Sequence, residues 1–358
     1  MKASPVTTDD IAKVLKISRG TVSRALNDNK SINEVTKQKV LITAKKMGYK
    51  PNEAARSLVM KKNYRIGIIV FSEPQYFWKQ VKQGITRAEK ELFHYRVTIE
   101  YIETDIRKPE SQIEAIQELL AKGVDAIAIS PNDPEKMVRI IDEVIKKGIP
   151  VITISSDVPN SNRTSFVGID ETKAGGLAAE LLGKMLGGKG KIALITFASS
   201  ILSIQQRITG FNRTMSKYPS IETLGPYELS RTGEDVYDFT KKILDQQPDL
   251  NGIYVSYGKL ELVAKAVKNS GRAETIKIVG YDMSEEIASL IKEDVIDAVI
   301  CQEPFNQGYY SVKILYNYIA LKRKPLLKIV NTKLEAVFRE NLNYYIDQEV
   351  YYNLLYNI

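Results

Sequence analysis

The stretch Ser18-Arg19-Gly20-Thr21-Val22-Ser23-Arg24-Ala25-Leu26-Asn27 organises the reading of the whole chain. Val22, Ala25 and Leu26 fall at i, i+3 and i+4, the spacing of one helix face, while Arg19, Thr21, Ser23 and Arg24 project elsewhere as hydrogen-bonding groups. Ser18 stands where its hydroxyl can accept a free backbone N–H of the first turn. Upstream, Thr8-Asp9-Asp10-Ile11-Ala12-Lys13-Val14-Leu15 predicts another short helix, with Thr8 as its cap and acids in its first turn. The link Lys16-Ile17-Ser18 leaves room only for a tight corner, so the pair predicts a helix–turn–helix. In that motif the second helix enters the DNA major groove with its N-terminal residues at the base edges.

A third helix is expected after Ser31-Ile32-Asn33-Glu34, a capping-box pattern in which Ser31 and Glu34 satisfy each other's free donors. Val35, Val40, Ile42, Ala44 and Met47 are its apolar positions, and Gly48 suits the residue just past its end. Ile11, Leu15, Val22, Leu26, Val40 and Met47 would form the core of this small bundle, residues 1–50. Residues 51–63 follow. Pro51–Leu58 is helical in propensity but too short to hold a helix alone, because nucleation is costly below about 12–15 residues.

From Tyr64 the texture alternates. Arg65–Phe71, Arg96–Tyr101, Asp125–Ser130, Val151–Ile154, Lys191–Phe197, Asn251–Val255, Lys277–Tyr281 and Ile296–Ile300 read as strands. Lys79–Leu92, Glu110–Ala121, Pro134–Lys147, Thr172–Leu186, Ile204–Lys217, Glu234–Gln246, Leu260–Ser270, Glu285–Lys292 and Asn306–Leu321 read as helices. Strands alternating with helices of this length predict βαβ units on parallel sheets. Some 290 residues exceed one comfortable core, so residues 64–358 should hold two similar lobes. The tail Asn341–Ile358, rich in Tyr and Leu, is too short to show a heptad pattern.

The charge is as uneven as the texture. Residues 1–62 hold 14 Lys/Arg against 5 Asp/Glu, and the remainder 37 against 38, so the whole basic excess of a +8 chain sits in its amino-terminal sixth. That is the footprint of a phosphate-binding module joined to a neutral domain. The single cysteine, Cys301, rules out an internal disulfide and suits a reducing cytosol. No apolar run approaches the roughly 18 residues a membrane span needs, and the amino terminus lacks a secretory apolar core. A soluble cytoplasmic protein is expected.

Catalytic motifs are weak. His94 is the only histidine, so His-based triads and zinc sites have nothing to work with. Gly183-Lys184-Met185-Leu186-Gly187-Gly188-Lys189-Gly190 imitates a phosphate loop but lacks the final Ser/Thr and follows a helix, so it reads as a helix-ending turn. No enzyme activity, metal or cofactor is expected.

The run Thr8–Ala12 with Ile17–Asn27, then Gly48-Tyr49-Lys50-Pro51-Asn52 and Ala54-Ala55-Arg56-Ser57-Leu58, resembles the headpiece of the LacI/GalR family of bacterial transcription regulators. The match is dense across residues 6–60 and traceable to about residue 335. It implies a three-helix helix-turn-helix headpiece with a hinge helix, then a two-lobed α/β domain of the type I periplasmic-binding-protein fold with parallel sheets. One lobe would be about 64–158 plus 305–330 and the other about 163–302.

The resemblance also assigns sites. Arg19 and Gly20 match the main operator-discriminating positions, and Arg24 a base-reading arginine; an arginine fork can take guanine O6 and N7 together. Ser18, Thr21 and Asn27 would bind phosphates and set register. Asn52, Arg56 and Leu58 belong to the hinge, which becomes helical on DNA, with Leu58 as a minor-groove wedge. A two-fold homodimer would want a near-palindromic operator with half-sites about 34 Å apart.

The second site is the cleft between lobes, at the carboxyl ends of the strands. Tyr76, Phe77, Trp78, Ser155, Ser156, Asp157, Arg207, Tyr257, Asp282 and Gln302 are the candidates: rings to stack on a sugar and forks for adjacent hydroxyls. Arg207, Asp282 and Gln302 align with effector-binding positions of sugar-binding relatives. Ser155-Ser156 replaces an Asp-Arg pair often found there, and Tyr257-Gly258-Lys259 an Asn-Asp, so the resemblance does not carry over a common pentose or hexose as the ligand, which is expected to be a sugar or sugar derivative. Lys259 either reaches an anionic group or lies in solvent. The expected function is a repressor of a carbohydrate-utilisation operon; the alternatives are a solute-binding protein or a sugar-processing enzyme with an attached DNA-binding domain.

Overall fold

The computed structural model describes residues 6–26, 32–49, 62–106, 108, 110–197, 201–229 and 236–346. The chain divides into two compact units, residues 1–62 and 63–358.

In the first unit α1 (Thr8–Leu15), α2 (Arg19–Leu26) and α3 (Glu34–Lys46) enclose Ile11, Ala12, Val22, Ala25, Val40 and Ala44, with Leu15, Leu26 and Met47 packed at the margin. The cap of α1 is Thr7, one residue earlier than expected: its hydroxyl accepts from Asp10 N, and Asp10 Oδ2 accepts from Thr7 N at 2.8 Å, because the required acid three positions on is Asp10. Asn33 caps α3, its Oδ1 accepting from Val35 N at 2.8 Å, which places Glu34 inside the first turn; Ser31, the expected box partner, lies outside the described residues. Val35 and Ile42, expected to be apolar contacts of α3, are exposed; they lie a heptad apart on the face opposite Val40 and Ala44.

In the second unit the described strands form two six-stranded sheets. The first has the order β11-β5-β4-β3-β1-β2, all parallel, from β1 (Tyr64–Phe71), β2 (Val97–Thr104), β3 (Ala126–Ile129), β4 (Val151–Ile154), β5 (Ser165–Gly168) and β11 (Ile329–Asn331). The second has the order β12-β10-β9-β8-β6-β7, from β6 (Lys189–Phe197), β7 (Ser220–Leu229), β8 (Gly252–Val255), β9 (Lys277–Tyr281), β10 (Ala298–Cys301) and β12 (Glu335–Val337), with only β12 antiparallel. The central strands are buried along their whole length, as strands covered by helices on both faces must be.

Each sheet is closed by helices that match the expected rhythm within a few residues. On the first lobe these are α4 (Gln75–Leu92), α5 (Glu110–Ala121) and α6 (Pro134–Lys146). On the second they are α7 (Glu171–Met185), α8 (Leu202–Met215), α9 (Val236–Gln246), α10 (Leu260–Asn269) and α11 (Glu285–Lys292). The long α12 (Pro304–Leu321) returns to the first lobe against α4. In each lobe one helix pair crosses at glycines: a Cβ on Gly84 of α4 would lie 1.9 Å from Phe305 O, and one on Gly175 of α7 1.8 Å from Arg207 O. These backbones meet where only hydrogen fits.

Several expectations change. The chain crosses later than residues 158–163: β5 pairs with β4, so Ser165–Gly168 belongs to the first lobe, and the second lobe begins with α7. Strands β5, β7, β11 and β12 were not expected. The helix read as Lys79–Leu92 begins at Gln75, which carries Tyr76, Phe77 and Trp78 into its first turn. His94 is exposed beside the ring of Phe93. The glycine-rich run after α7 is a turn, with Gly187 and Gly188 at φ 61° and 78°.

Candidate functional site: a basic helix face and an interlobe cleft

On α2 the buried Val22 and Ala25 fix which side faces outward. Ser18 Oγ accepts from Thr21 N at 3.1 Å and pairs with Thr21 Oγ1 at 2.9 Å, capping the helix as its sequence predicts. Arg19, Gly20, Ser23 and Arg24 lie on the exposed side. Arg19 Nε stands 3.7 Å from Asp9 Oδ1, a solvent-exposed pair of little energetic weight that leaves the fork available. A Cβ on Gly20 would meet only Ser18 Oγ at 3.7 Å, so the helix surface is bare there. Asn27, Asn52, Arg56 and Leu58 lie outside the described residues.

The cleft is built at the two places where strand order reverses, between β1 and β3 in one sheet and between β6 and β8 in the other. Such switch points leave a crevice at the carboxyl ends of the strands. Phe71, Phe77, Trp78, Ser130, Ser155 and Ser156 line it from the first lobe; Ile201, Ser203, Arg207, Tyr257, Asp282 and Gln302 line it from the second. The space between them is narrow and partly open to solvent. Ser155 and Asp282 both hold left-handed backbone, φ 62° and 67°, an uncommon conformation that turns each residue out of its strand end.

The second lobe contributes a connected charge network. Arg207 Nε donates to Glu171 Oε2 at 2.6 Å and Nη2 to Glu171 Oε1 at 3.1 Å, while Nη1 donates to Ser256 O at 3.1 Å. Nη2 also reaches Gln302 Oε1 at 3.4 Å, and Gln302 Nε2 donates to Asp282 Oδ1 at 2.9 Å. The Tyr281 ring covers one face of the guanidinium at 3.9 Å. Burial works against the charge on Arg207, and the Glu171 carboxylate together with Tyr281 and Asp282 more than restores it. Burial raises the Asp282 carboxyl to about 6, against the pull of Arg207 and the Gln302 hydrogen bond. Gln302 is held by Gln307 Nε2 and Thr332 Oγ1, each donating to its carbonyl at 2.9 Å.

The first lobe is different in kind. Trp78 Nε1 donates to Glu73 O at 3.0 Å, and its ring packs edge-on against Phe71 and Phe77 at 5.6 and 4.8 Å. Tyr257, from the second lobe, donates across the cleft to the same Glu73 carbonyl at 3.1 Å. Ser130 Oγ and Ser156 Oγ are buried without a partner, as is Asn132 Nδ2, two residues after Ser130.

Two expected ligand residues, Tyr76 and Asp157, are not among those lining the cleft. Asp157 is committed to a buried ion pair: Arg163 donates to both its oxygens, and Thr153 Oγ1 donates to Oδ1 at 2.6 Å. Arg163 Nη1 also donates to Lys328 O at 3.0 Å, so this pair ties the β4–β5 turn to the segment before β11. Tyr76 lines an adjoining groove with Glu261 and Pro304, a groove that shares Asp282 and Gln302 with the cleft. Lys259 is exposed at the start of α10 and does not line the cleft. The reading missed Glu171, Ser130 and Ser203. Ser130 ends the strand reading Asp125–Ser130 and could have been found by the same strand-end rule as Ser155; nothing in the sequence pairs Glu171 with a residue 36 positions away.

Residues 66–324 match the family model described as periplasmic binding protein domain, and residues 7–52 that of bacterial regulatory proteins, lacI family. The chain is 24% identical over 322 residues to catabolite control protein A of Priestia megaterium, across 88% of this chain and 92% of that one. It is 33% identical over 115 residues to the HTH-type transcriptional regulator RegA of Clostridium acetobutylicum; there the match spans 32% of this chain and only 34% of the relative. Among solved structures, GanP, a glucose-galactose binding protein from Geobacillus stearothermophilus, superposes with a TM-score of 0.72 at 28% identity, covering 79% of this chain and 99% of that one. AraP, an arabinose binding protein from the same organism, gives 0.66 at 26%, covering 79% and 99%. No helix among the described residues is long and apolar enough to cross a membrane.

Proposed function

The chain belongs to the periplasmic binding protein family through residues 66–324 and to the lacI family of bacterial regulatory proteins through residues 7–52, and from that premise we propose that it is a sequence-specific DNA-binding transcriptional regulator controlled by a small polar ligand in the cleft. It acts as a cytoplasmic homodimer on a near-palindromic operator and represses a carbohydrate-utilisation operon. One observation carries this reading: a single chain holds both an exposed basic face on the second helix of a helix–turn–helix and a cleft lined by buried hydroxyls with no partner. Arg19 and Arg24 read base edges, and Ser18 and Thr21 touch phosphates.

The ligand acts by changing how the lobes close on each other. Tyr257 and Glu73 already bridge the cleft, so a molecule seated between them alters that closure. A coupling of about 1–3 kcal/mol, a 5–150-fold change in operator affinity, is enough for control.

The test is selection of an operator from random duplexes, followed by affinity measurements across a salt series with and without sugars. The expected result is a selected palindrome, a steep salt slope and at least one compound that shifts the affinity. Equal affinity for selected and random duplexes would leave only non-specific phosphate binding and overturn the reading.

A further inference from the structure

The charges around the cleft do not balance. Arg207 and Asp282 are the charged side chains on its wall among the described residues, and Glu171 stands directly behind Arg207. The guanidinium is already matched: Glu171 takes it with two hydrogen bonds, Ser256 O and Gln302 Oε1 take others, and the Tyr281 ring covers a face. Asp282 is the remaining charge. Its Oδ1 accepts from Gln302 Nε2, and no donor among the described residues reaches its second oxygen. The residue as a whole is 8% exposed, but this second oxygen is not among the buried unpartnered atoms: it stays accessible in the cleft, where a cationic or strongly hydrogen-bonding group can meet it.

The opposite wall is suited to complete that charge. Phe77 and Trp78 offer ring surface, which attracts a cation through the negative face of the π-system. Ser130 and Ser156, 1% and 2% exposed, hold hydroxyls with no partner, which suit the hydroxyls of a polyol. An anionic ligand would meet Asp282 and find the Arg207 fork engaged. From this imbalance we infer that the cleft selects an amino sugar, a polyhydroxylated ring bearing a protonated amine, over neutral sugars and over sugar acids. The amine lies against the free oxygen of Asp282, and the ring hydroxyls take Ser130 and Ser156.

This inference rests on the cleft being the effector site. It is tested on the full chain by titration calorimetry with matched sets that differ only in charge: glucosamine, glucose and glucuronate, with the galacto and manno counterparts. At least one amine should bind tenfold or more tighter than its parent hexose, and its uronate should give no measurable heat. In Asp282→Asn the amine-to-hexose ratio should fall toward one; the unsubstituted chain alone decides the matter if that variant does not fold. A hexose or uronate that binds as tightly as its amine, or the absence of binding by every amine, overturns the inference. The selected operator is measured in parallel. A neutral sugar that shifts operator affinity sinks the amine assignment and leaves the regulator standing, whereas failure to select any operator sinks the regulator and leaves the calorimetry to judge the cleft.

Discussion

The two walls of the cleft solve opposite problems. The second lobe buries charges and satisfies nearly all of them within itself, through Glu171, Arg207, Gln302 and Asp282. The first lobe buries neutral hydroxyls and leaves them unmet, at Ser130 and Ser156. A half-satisfied buried ionic group is far more costly than a half-satisfied hydroxyl, so a protein can carry the second kind until a ligand arrives but must complete most of the first while folding. The Glu171–Arg207–Gln302 network is therefore part of the fold, and the open oxygen of Asp282 and the hydroxyls of the neutral wall are where a ligand is awaited.

The sharpest way to break that contrast is Glu171→Leu. It strands a buried guanidinium and should cost about 3–5 kcal/mol in urea unfolding. Adding Arg207→Met should recover much of that loss; a single variant that costs under about 1 kcal/mol would mean the network is not structural.

Asp282→Asn should act in the other direction and only above acid pH. The folded carboxyl sits near 6 against an ordinary 3.8, so the folded state holds its proton more tightly than the unfolded one. The resulting penalty is absent below about 3.8, grows as pH rises to about 6, and is constant above. The variant should therefore gain stability relative to the parent across that window, by up to about 3 kcal/mol, as read by thermal unfolding at a series of pH values.

The glycine crossings separate stability from binding. Gly84→Ala and Gly175→Ala each drive a methyl into a backbone carbonyl and should cost about 1–3 kcal/mol. Only the second displaces the backbone of Arg207 itself, so only it should also weaken ligand affinity.

The smallest effect compares two serines at strand ends, one in each lobe. Ser256 Oγ is paired with Thr196 Oγ1 at 2.8 Å, and Ser256→Ala should cost about 1 kcal/mol. Ser156 Oγ has no partner, so Ser156→Ala should leave the unliganded chain unchanged or slightly more stable and weaken ligand binding several-fold.

The rhythm of strands and helices was legible because it is written locally. Glu110–Ala121, Val151–Ile154, Lys277–Tyr281 and Glu285–Lys292 have the bounds that periodicity predicts. The strands that escaped are those with little local signal. β7 contains Gly225-Pro226, which reads as a turn, and edge strands tolerate proline that central strands do not. β5 spans four residues and β11 and β12 three each, and they exist because a neighbouring strand supplies their hydrogen bonds. At the cleft, the strand-end rule found Ser155, Ser156, Tyr257, Asp282 and Gln302. It also pointed to Asp157, three residues past a strand end, which is instead paired with Arg163, itself tied to a segment more than 160 residues away.

The sequence by itself determined the helix–turn–helix, the basic face of its second helix, the alternation of strands and helices and the strand ends that reach the cleft. These follow from spacing, capping and charge, which act over a few residues. Tertiary structure decided which carboxylate keeps Arg207 company, which serines are left wanting a partner, and where the chain crosses between lobes. Those outcomes depend on what meets across a fold, where burial turns a surface charge into a structural commitment and an idle hydroxyl into a vacancy for a ligand.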